Sequence, residues 1–429
     1  MITAADRDFI RQRLGFYGRH LREDVLPWWM DNAIDEECGG VFTYWDGSGH
    51  TLKLRTEDKY VWSQGRWGWT TAMLARLADA RPDLKLDADR LKRSTLATAE
   101  LLWSGAVLPD GTCASIITRQ GQPIERVPGG GFHDSVYADL FVSLTFAAAE
   151  TLVKDGVWGQ RSLDLAVPAE ARIRQGKVRT EPYIVPEGFD SFALNMILLN
   201  TGAELFAMTG DARAAGITER AAATIRHDFA NGSDMCELRP LDPALDETLD
   251  ARHRNPGHVI EGLWMYRQAA DLLPSVAAID PDCNDWLSQT LCHMCQLGWD
   301  DESGGLLRFV DREGGPPQGT NRGSLYEGMV TSGWDRKLWW PHNEALYAAL
   351  QLWLRTGNSA VGEWYRRLDD YTFTHFPAGP GLEWNQILDR RGNAMAPDAR
   401  AALPVKDPYH LLRSLFLLLE LDPEFDSHP

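Results

Sequence analysis

A histidine at the start of a helix is the first feature of this sequence that could do chemistry. In NPGHVIEGLW, residues 255–264, a proline and a glycine lead directly into a helix-like run, so His258 falls in its first turn. The positive end of a helix disfavours a protonated imidazole, which keeps the ring available as a base. Glu261 follows on the same helix face, where it could orient the ring or a substrate hydroxyl. The alternative is a helix cap around a buried, hydrogen-bonded histidine.

A second histidine has an equivalent setting near the end of the chain. His410 in DPYHLLRSL follows Pro408, again where a helix begins, and Arg413 comes three positions later. A ring of helices would direct the first turns of both helices toward one end of a central funnel. We therefore predict that His258 and His410 face each other. The alternative is that His410 is a core residue.

A cationic stripe is the third candidate. Two arginines, a lysine and a tryptophan recur at intervals of three or four: Arg55, Lys59, Trp62 and Arg66. Residues at this spacing would lie along one helical stripe, and the periodicity predicts a helix over residues 57–80. Such a stripe suits a polar wall beside a sugar ring. The alternative is a seam of helix–helix ion pairs that includes Glu57 and Asp58.

Paired tryptophans beside a carboxylate indicate a carbohydrate site. KLWWPHNEALYAAL places Trp339 and Trp340 before Pro341, which suits the first turn of a helix, and Glu344 follows within that turn. Aromatic faces stack on sugar rings, and carboxylates accept hydrogen bonds from hydroxyls. The chain contains 17 tryptophans, and the alternative is that they fill the core of a large helical protein.

Two histidines across a sugar can move a proton at a carbon next to a carbonyl. One removes the proton and the other returns it on the opposite face, which inverts the centre, and each needs a pKa near the working pH. Protonation of the neighbouring carbon of the same enediolate gives aldose–ketose isomerisation instead. Arg55 could polarise the carbonyl oxygen and stabilise the enediolate. The scheme needs no metal or other cofactor.

The composition favours an enzyme with a small-molecule substrate. The chain has 429 residues and a formal net charge of −18, whereas nucleic-acid binding requires a basic stripe, which we do not find. The longest apolar run, residues 411–421, is too short to span a bilayer. The charged, amphipathic N-terminus has no apolar signal-peptide core. We therefore expect no nucleic-acid partner, no membrane partner and a cytoplasmic location.

Two further features bear on the site. Residues 231–256 form a long acidic loop that leads directly to His258, and loops of that length are often functional. The six cysteines form no framework, so buried reduced thiols are the default. Cys292 and Cys295 leave a zinc or redox site as the alternative.

Helical periodicity dominates the chain and predicts about a dozen amphipathic helices. The loops repeat: residues 35–49, DEECGGVFTYWDGSG, match residues 301–315, DESGGLLRFVDREGG, and looser copies cover 381–393 and 104–122. Each copy predicts a short β-hairpin between helices, so the repeating unit is a helical hairpin. Such units build an open solenoid or a closed ring. We favour the ring, an all-α (α/α)6 barrel with short β-hairpins in its loops, formed by residues 1–429 as a single catalytic domain.

Together the motifs resemble the N-acylglucosamine 2-epimerase family. Five stretches carry the resemblance, in order along nearly the whole chain: RTEDKYVWSQGR, NPGHVIEGLW, KLWWPHNEA, GLEWNQILDRRG and KDPYHLLR. The resemblance implies an (α/α)6 barrel and a cofactor-independent sugar 2-epimerase or aldose–ketose isomerase, with His258 and His410 as the general acid/base pair. Substrate-side contacts are expected, from the resemblance and from the tryptophan pair, at Arg55, Glu261, Glu344, Trp339, Arg252 and Arg413.

Departures from the family pattern bear on the substrate. The isomerase and cellobiose 2-epimerase branches carry an extra histidine in a mid-chain helix, where this chain has SFALNMILLN with Asn195, Met196 and Ile197. That difference favours the N-acylglucosamine 2-epimerase branch, as does WSQGR. YHLLRS near the end, and Leu382, differ from the H-V-P-R and G-E-W that this branch commonly has.

Alternative functions stay open at this point. A mannose-type aldose–ketose isomerase of the same family would use the same enediolate. A glycoside hydrolase on the same barrel would use two carboxylates, such as Glu261, Glu344 or Glu383. A non-catalytic sugar-binding protein would keep the funnel without turnover. A homodimer formed through outer helices is a further hypothesis.

Overall fold

The computed structural model describes residues 2–47, 49–395 and 405–421, most of which are helical. The α-helices in those residues are α1 (Ala4–His20), α2 (Leu26–Asn32), α3 (Val61–Ala80), α4 (Ala88–Leu101), α5 (Val136–Val153), α6 (Val157–Arg174), α7 (Phe192–Thr209), α8 (Ala212–Thr224), α9 (Leu249–Arg252), α10 (Pro256–Leu272), α11 (Pro274–Ala277), α12 (Cys283–Gly298), α13 (Leu325–Gly333), α14 (Trp339–Thr356), α15 (Ser359–His375) and α16 (Tyr409–Glu420). Short π-helical turns join α1 to α2 and extend α4 and α8: Leu21–Val25, Leu102–Ala106 and Ile225–Phe229.

Six long helices form a closed inner ring. In order around the ring they are α3, α5, α7, α10, α14 and α16, and α16 packs against α3 to complete it. Six outer helices cover them, with α1 on α16, α4 on α3, α6 on α5, α8 on α7, α12 on α10 and α15 on α14. This double ring confirms the predicted (α/α)6 barrel, because an open solenoid would leave its first and last helices apart.

The inner helices are apolar on most sides because the outer ring encloses them. Helices α5 and α7 are long and apolar enough to cross a membrane by length and composition alone. However, 72% of each is buried inside the protein. Their place in the inner ring accounts for their composition.

Glycine allows two inner helices to begin in close contact. A Cβ atom on Gly257 would lie 2.8 Å from Cβ of Pro341 and 2.9 Å from the ring of Trp340, closer than side chains pack. Gly257 therefore lets the start of α10 lie directly against the start of α14, and it brings the neighbouring His258 beside Trp340.

Very short strands tie the loops to the helix starts. The strands are β1 (Trp45–Asp46), β2 (Lys53–Leu54), β3 (Lys59–Tyr60), β4 (Ile116–Ile117), β5 (Phe189–Ser191), β6 (Ala230–Asn231), β7 (Asp234–Met235), β8 (Leu238–Pro240), β9 (His253–Arg254), β10 (Val310–Asp311), β11 (Lys337–Leu338) and β12 (Ile387–Leu388). The repeated loops contain local antiparallel bridges, such as the one between Trp299 and Leu306. In addition, β3, β5, β9 and β11 pair with β4, β8, β10 and β12. Strands β3, β5, β9 and β11 each lie immediately before an inner helix, so the ladders hold the starts of those helices in place.

The two best-matched loops each bury an ion pair. Asp35, which opens the first copy, lies with Oδ2 2.8 Å from Lys59 Nζ, and Asp300, which directly precedes the second copy, lies with Oδ2 3.1 Å from Lys337 Nζ. None of these side chains is more than 1% exposed. Each lysine belongs to a strand that directly precedes an inner helix, so the pair fixes its loop against that helix start.

Replacement of Asp35 by Asn is expected to lower the free energy of unfolding by about 3–5 kcal/mol, because it leaves the buried Lys59 ammonium without its anion. Asn has nearly the same shape, so packing is preserved. Chemical denaturation measures the change. Asp79→Asn is the matched control: Asp79 pairs with Lys92 at a site where the two side chains are 57% and 34% exposed, and we expect a loss of about 1 kcal/mol or less. Equal losses in the two variants would contradict the structural role given to the buried pair.

Candidate active site

One cavity opens at the end of the barrel where the six inner helices begin. It has an empty volume of about 1300 Å³, including its mouth to solvent. A residue from the first turn of each inner helix lines it: Trp62, Tyr137, Ala193, His258, Trp340 and His410. Each helix start presents unpaired N–H groups and a partial positive charge. The cavity is therefore suited to a group that develops negative charge.

His258 lies in the first turn of α10, as predicted, and a carboxylate from another segment orients it. Asn255 caps the helix by accepting a hydrogen bond from the backbone N–H of His258. Nδ1 of His258 lies 2.9 and 3.0 Å from the two carboxylate oxygens of Glu237, which is 1% exposed. Nδ1 must carry the proton to donate to a carboxylate. Nε2 is then the nitrogen that can exchange a proton with a substrate.

Glu237 sets the charge preference of His258. Burial alone would lower the pKa of the imidazole, but the negative charge of Glu237 and its hydrogen bond outweigh burial and raise that pKa. The sequence did not predict this residue. Glu237 directly precedes β8, and its carbonyl accepts a hydrogen bond from Phe192 N–H at 2.9 Å, which fixes the segment against the start of α7. The available signal was the acidic loop of residues 231–256, in which Glu237 is one carboxylate among several.

His410 lies in the first turn of α16, and Glu344 holds it. Nδ1 of His410 lies 2.8 Å from Glu344 Oε1, and Glu344 Oε2 accepts a hydrogen bond from Trp264 Nε1 at 2.9 Å. Burial, assisted by the positive charges of Arg66 and Arg413, lowers the pKa of His410 to about 3 despite the attraction of Glu261. Glu344 is 1% exposed and lies behind His410. It therefore orients the imidazole, whereas a direct substrate contact was predicted.

Arg413 joins both carboxylates that the sequence singled out. Its guanidinium bonds Glu344 Oε1 at 2.6 Å, contacts Glu261 Oε1 and donates to the Tyr409 hydroxyl at 2.8 Å. The hypothesis that Glu261 orients His258 is wrong, because Oε1 of Glu261 faces Arg413 and lies 3.8 Å from Nδ1 of His410. Glu261 and Arg413 still line the cavity. Their contact with a substrate stays a prediction.

The tryptophan pair lies between the histidine clusters. The ring centroid of Trp340 is 5.1 Å from that of His258 and 5.4 Å from that of His410. Trp339 also lines the cavity, with its ring 6.4 Å from His410. The aromatic surface and both imidazoles therefore face one space, as the sugar-platform hypothesis requires.

The structure does not bring Arg55 to the cavity, which corrects the predicted cationic stripe. Helix α3 begins at Val61, so Arg55 and Lys59 lie in the preceding loop and strand and share no helix face with Arg66. Arg55 pairs with Asp46 at 2.9 Å on the surface, and Lys59 is committed to a buried ion pair. The predicted helix began too early, because the loop before it carries charged residues at helix-like spacing.

Arg66 has the position expected of Arg55. It lines the cavity from α3, and its NH1 lies 3.0 Å from Asp407 Oδ2. Its guanidinium also lies 4.4 Å from the ring centroid of Phe141 and 4.8 Å from that of Tyr409. These contacts hold a positive charge close to His410.

Arg252 forms ion pairs outside the cavity lining, and its contact with a substrate stays a prediction. Its guanidinium makes a bidentate pair with Asp311, at 3.0 and 2.8 Å, and lies 2.8 Å from Glu247. It is absent from the residues that line the cavity. The pair joins the segment before α10 to β10, so Arg252 supports the position of His258 indirectly.

One group in the described part of the chain has atoms close enough to hold a metal ion: Glu261, Glu344 and His410. Arg413 already bonds both carboxylates. A metal ion there would compete with a fully buried guanidinium, so the donor set fits an arginine better than a divalent cation.

Comparison with known proteins identifies the family. A model of N-acylglucosamine 2-epimerase (GlcNAc 2-epimerase) matches residues 121–414, more than half of the chain. The chain belongs to the N-acylglucosamine 2-epimerase family. The N-acylglucosamine 2-epimerase of Bos taurus is 27% identical over 92% of this chain and 88% of its own length. The Homo sapiens enzyme is 26% identical over 94% of this chain and 89% of its own length.

Solved structures share the fold of this family member. The cellobiose 2-epimerase from Bacillus thermoamylovorans superposes with a TM-score of 0.70 at 16% identity and covers 96% of this chain and 99% of its own. A D-mannose isomerase superposes with a TM-score of 0.70 at 15% identity and covers 96% of this chain and 97% of its own. At these identities the likeness establishes the barrel and leaves the substrate open.

Replacement of Glu237 by Gln is expected to lower the pKa of His258, because it removes the negative charge that raises this pKa. NMR titration of the imidazole measures the change directly. Glu247→Gln, at an exposed carboxylate of the same loop, is the matched control and should leave the titration of His258 unchanged. An unchanged or raised His258 pKa in Glu237→Gln would refute the pairing.

Proposed function

We propose that this chain is a sugar 2-epimerase, with aldose–ketose isomerase chemistry available, that moves the C2 proton of a ring-opened sugar between His410 and His258. The observation that carries the proposal is the pair of imidazoles beside Trp340 in one cavity, each held through Nδ1 by its own buried carboxylate. Each imidazole then has Nε2 as the nitrogen for proton transfer. Family membership supports the same chemistry.

The opposite pKa directions assign a starting role to each histidine. His410, whose pKa is lowered, is the neutral member of the pair, and we assign to it the role of the base that removes the C2 proton. His258, whose pKa is raised, holds a proton more readily and suits the acid that returns one. After one transfer the proton has moved from His258 to His410, which prepares the pair for the reverse reaction on the other epimer.

Because His258 must be protonated to return a proton to C2, activity should fall as the pH rises through the raised pKa of His258.

The enediolate intermediate needs positive charge near the sugar carbonyl. Arg66 suits this role, since it lines the cavity near His410. The six helix starts add oriented N–H groups around the same space. Protonation of the intermediate at C2 gives the epimer, whereas protonation at C1 gives the ketose.

An N-acylated sugar is the substrate class that we propose. The cavity wall from α7 is apolar, with Ala193, Met196 and Ile197, and Met265 of α10 lies in the same lining. Such a wall suits an acyl methyl group and offers a 2-hydroxyl no hydrogen-bond partner. The curated relatives are N-acylglucosamine 2-epimerases. A mannose-type isomerase is the alternative within the family.

The other enzyme class agrees less well with the geometry. A glycoside hydrolase needs one carboxylic acid and one carboxylate that flank the bond. Here Glu261 and Glu344 share the guanidinium of Arg413. Glu383 accepts a hydrogen bond from Trp29 Nε1 and is absent from the cavity lining. A sugar-binding protein without turnover would keep the same cavity, and C2 deuterium exchange distinguishes it from an enzyme. A cytoplasmic location and a homodimer stay predictions.

Deuterium exchange at C2 tests the two-base mechanism. In deuterated water, the wild-type protein should epimerise N-acetylglucosamine or N-acetylmannosamine with incorporation of solvent deuterium at C2, scored by NMR. Each single variant, His258→Ala or His410→Ala, should lose epimerisation by about 100-fold or more. Each should still exchange the C2 proton of the one epimer that faces its remaining histidine.

Controls sharpen this experiment. His258→Ala/His410→Ala should lose all exchange, and His227→Ala, at an exposed histidine of the outer ring, should behave as the wild type. Wild-type exchange in the double variant would refute the mechanism. Sugar-dependent thermal stabilisation without exchange would favour a binding protein. Mannose, glucose, fructose and cellobiose complete the panel, with epimer and ketose measured separately.

Exhaustive chelation should leave the exchange rate unchanged, because the proposed chemistry uses side chains alone and Arg413 bonds both carboxylates of the nearest ligand set. The rate is compared before and after treatment with a chelator and after addition of Mg²⁺, Mn²⁺ or Zn²⁺. A loss that one of these ions restores would overturn the assignment.

A further inference from the structure

Arg308 is a buried cation in the cavity wall. It lines the cavity and is 6% exposed. Its NH2 lies 3.4 Å from the sulfur of Met329, a weak acceptor, and its guanidinium lies 4.8 Å from the ring centroid of Phe309. Within residues 2–47, 49–395 and 405–421, Arg308 forms no ion pair with a carboxylate. Burial lowers its pKa, which reflects the cost of holding this charge away from water.

The other cationic groups of the cavity are balanced. Arg66 has Asp407 at 3.0 Å, and Arg413 has Glu344 at 2.6 Å. His258 has Glu237 at 2.9 Å. Among the described residues, the other positive charges of the cavity are paired and no carboxylate pairs with Arg308, so Arg308 provides a position for negative charge on a ligand.

The fold holds Arg308 rigidly with respect to His258. The backbone N–H of Arg308 donates to the carbonyl of Arg336 at 3.0 Å. Two residues later β10 begins, and β10 pairs with β9, which directly precedes the cap of α10. The charge of Arg308 also acts to lower the pKa of His258, so the two groups lie within electrostatic reach of each other.

Two phenols share this part of the cavity. Tyr183 and Tyr326 line it, and both interact electrostatically with the guanidinium of Arg308. Burial raises the pKa of both phenols, so both hydroxyls stay protonated. Glu237, which also acts on Tyr326, is committed to His258. This wall therefore combines a guanidinium with protonated hydroxyls.

We propose that Arg308 forms an anion subsite and that the sugar converted by this chain carries an oxyanion at the end remote from C2. The proposal rests on the proposed function, since a sugar held at C2 by the histidines presents its far end to the rest of the cavity. A neutral hydroxyl leaves the buried guanidinium unbalanced, whereas a carboxylate, phosphate or sulfate accepts its paired N–H donors. These three groups share the chemistry that Arg308 recognises.

Matched substrates test the subsite. N-acetylglucosamine is compared with its 6-phosphate and 6-sulfate, and glucose with glucuronate. The wild type should have the higher kcat/KM for a charged member of a pair. Arg308→Met should lower that kcat/KM by about 10- to 100-fold and change the kcat/KM of the neutral parent by a much smaller factor. Arg308→Lys, which keeps the charge but not the planar fork, should restore part of the loss. The preferred member identifies the oxyanion.

Thermal unfolding provides a readout that does not depend on turnover. In buffer free of multivalent anions, Arg308→Met should unfold at a higher temperature than the wild type, because an unbalanced buried charge is gone. Inorganic phosphate or sulfate should stabilise the wild type and leave Arg308→Met unaffected. Arg213→Met, which removes an exposed arginine paired with Asp211 on the outer ring, should respond to these anions as the wild type does. An equal response of Arg308→Met would overturn the subsite.

The failures of the two proposals are distinguishable. If the wild type exchanges C2 deuterium only into neutral sugars and Arg308→Met does so equally well, the anion subsite is wrong and the proposed function stands. If charged sugars stabilise the protein through Arg308 but no sugar exchanges deuterium, the anion subsite stands and the proposed function is wrong.

Discussion

The buried guanidinium of Arg413 is the interaction on which the rest of the site depends. From α16 it bonds Glu261 of α10 and Glu344 of α14, and none of these side chains is more than 5% exposed. A charge left unpaired at this depth is strongly destabilising, so these three inner helices are stable only in the arrangement that assembles the cluster. Glu344 also holds His410. Closure of the barrel and orientation of this imidazole are therefore a single structural event.

The two histidines have similar local settings and opposite electrostatics. Each lies in the first turn of an inner helix and donates through Nδ1 to a buried glutamate. Arg66 and Arg413 lie near His410 and oppose its protonation, whereas at His258 the charge and hydrogen bond of Glu237 outweigh burial and the opposing charge of Arg308. The difference comes from the charges around each carboxylate. It gives the proposed proton-transfer pair a defined direction before any substrate binds.

Local sequence signals were sufficient for some of the site and insufficient for the rest. Proline before a histidine marks a helix start, and this placed His258 and His410 correctly in first turns, while loop repeats between helices indicated the ring. Contacts between distant segments could not be predicted from local patterns. Glu237 lies 21 residues before His258, and helical spacing does not distinguish it from the other acidic residues of its loop. Arg55 failed for a different reason: the helix that carries Arg66 begins at Val61, so the helix-like spacing from Arg55 to Arg66 does not correspond to a helix face.

Arg308 connects the stability of the barrel with the specificity proposed for it. A buried guanidinium that no carboxylate of the described residues pairs with weakens the empty protein, and packing elsewhere in the double ring must offset that cost. An oxyanion that binds beside Arg308 balances the buried charge and removes this cost. Discrimination against a neutral sugar then has two sources: the guanidinium charge that a neutral sugar leaves unbalanced, and the hydrogen bonds that only the oxyanion accepts. The ladder of β9 and β10 ties Arg308 to the start of α10. The backbone around this ladder therefore positions Arg308 and His258 at two points of the same cavity.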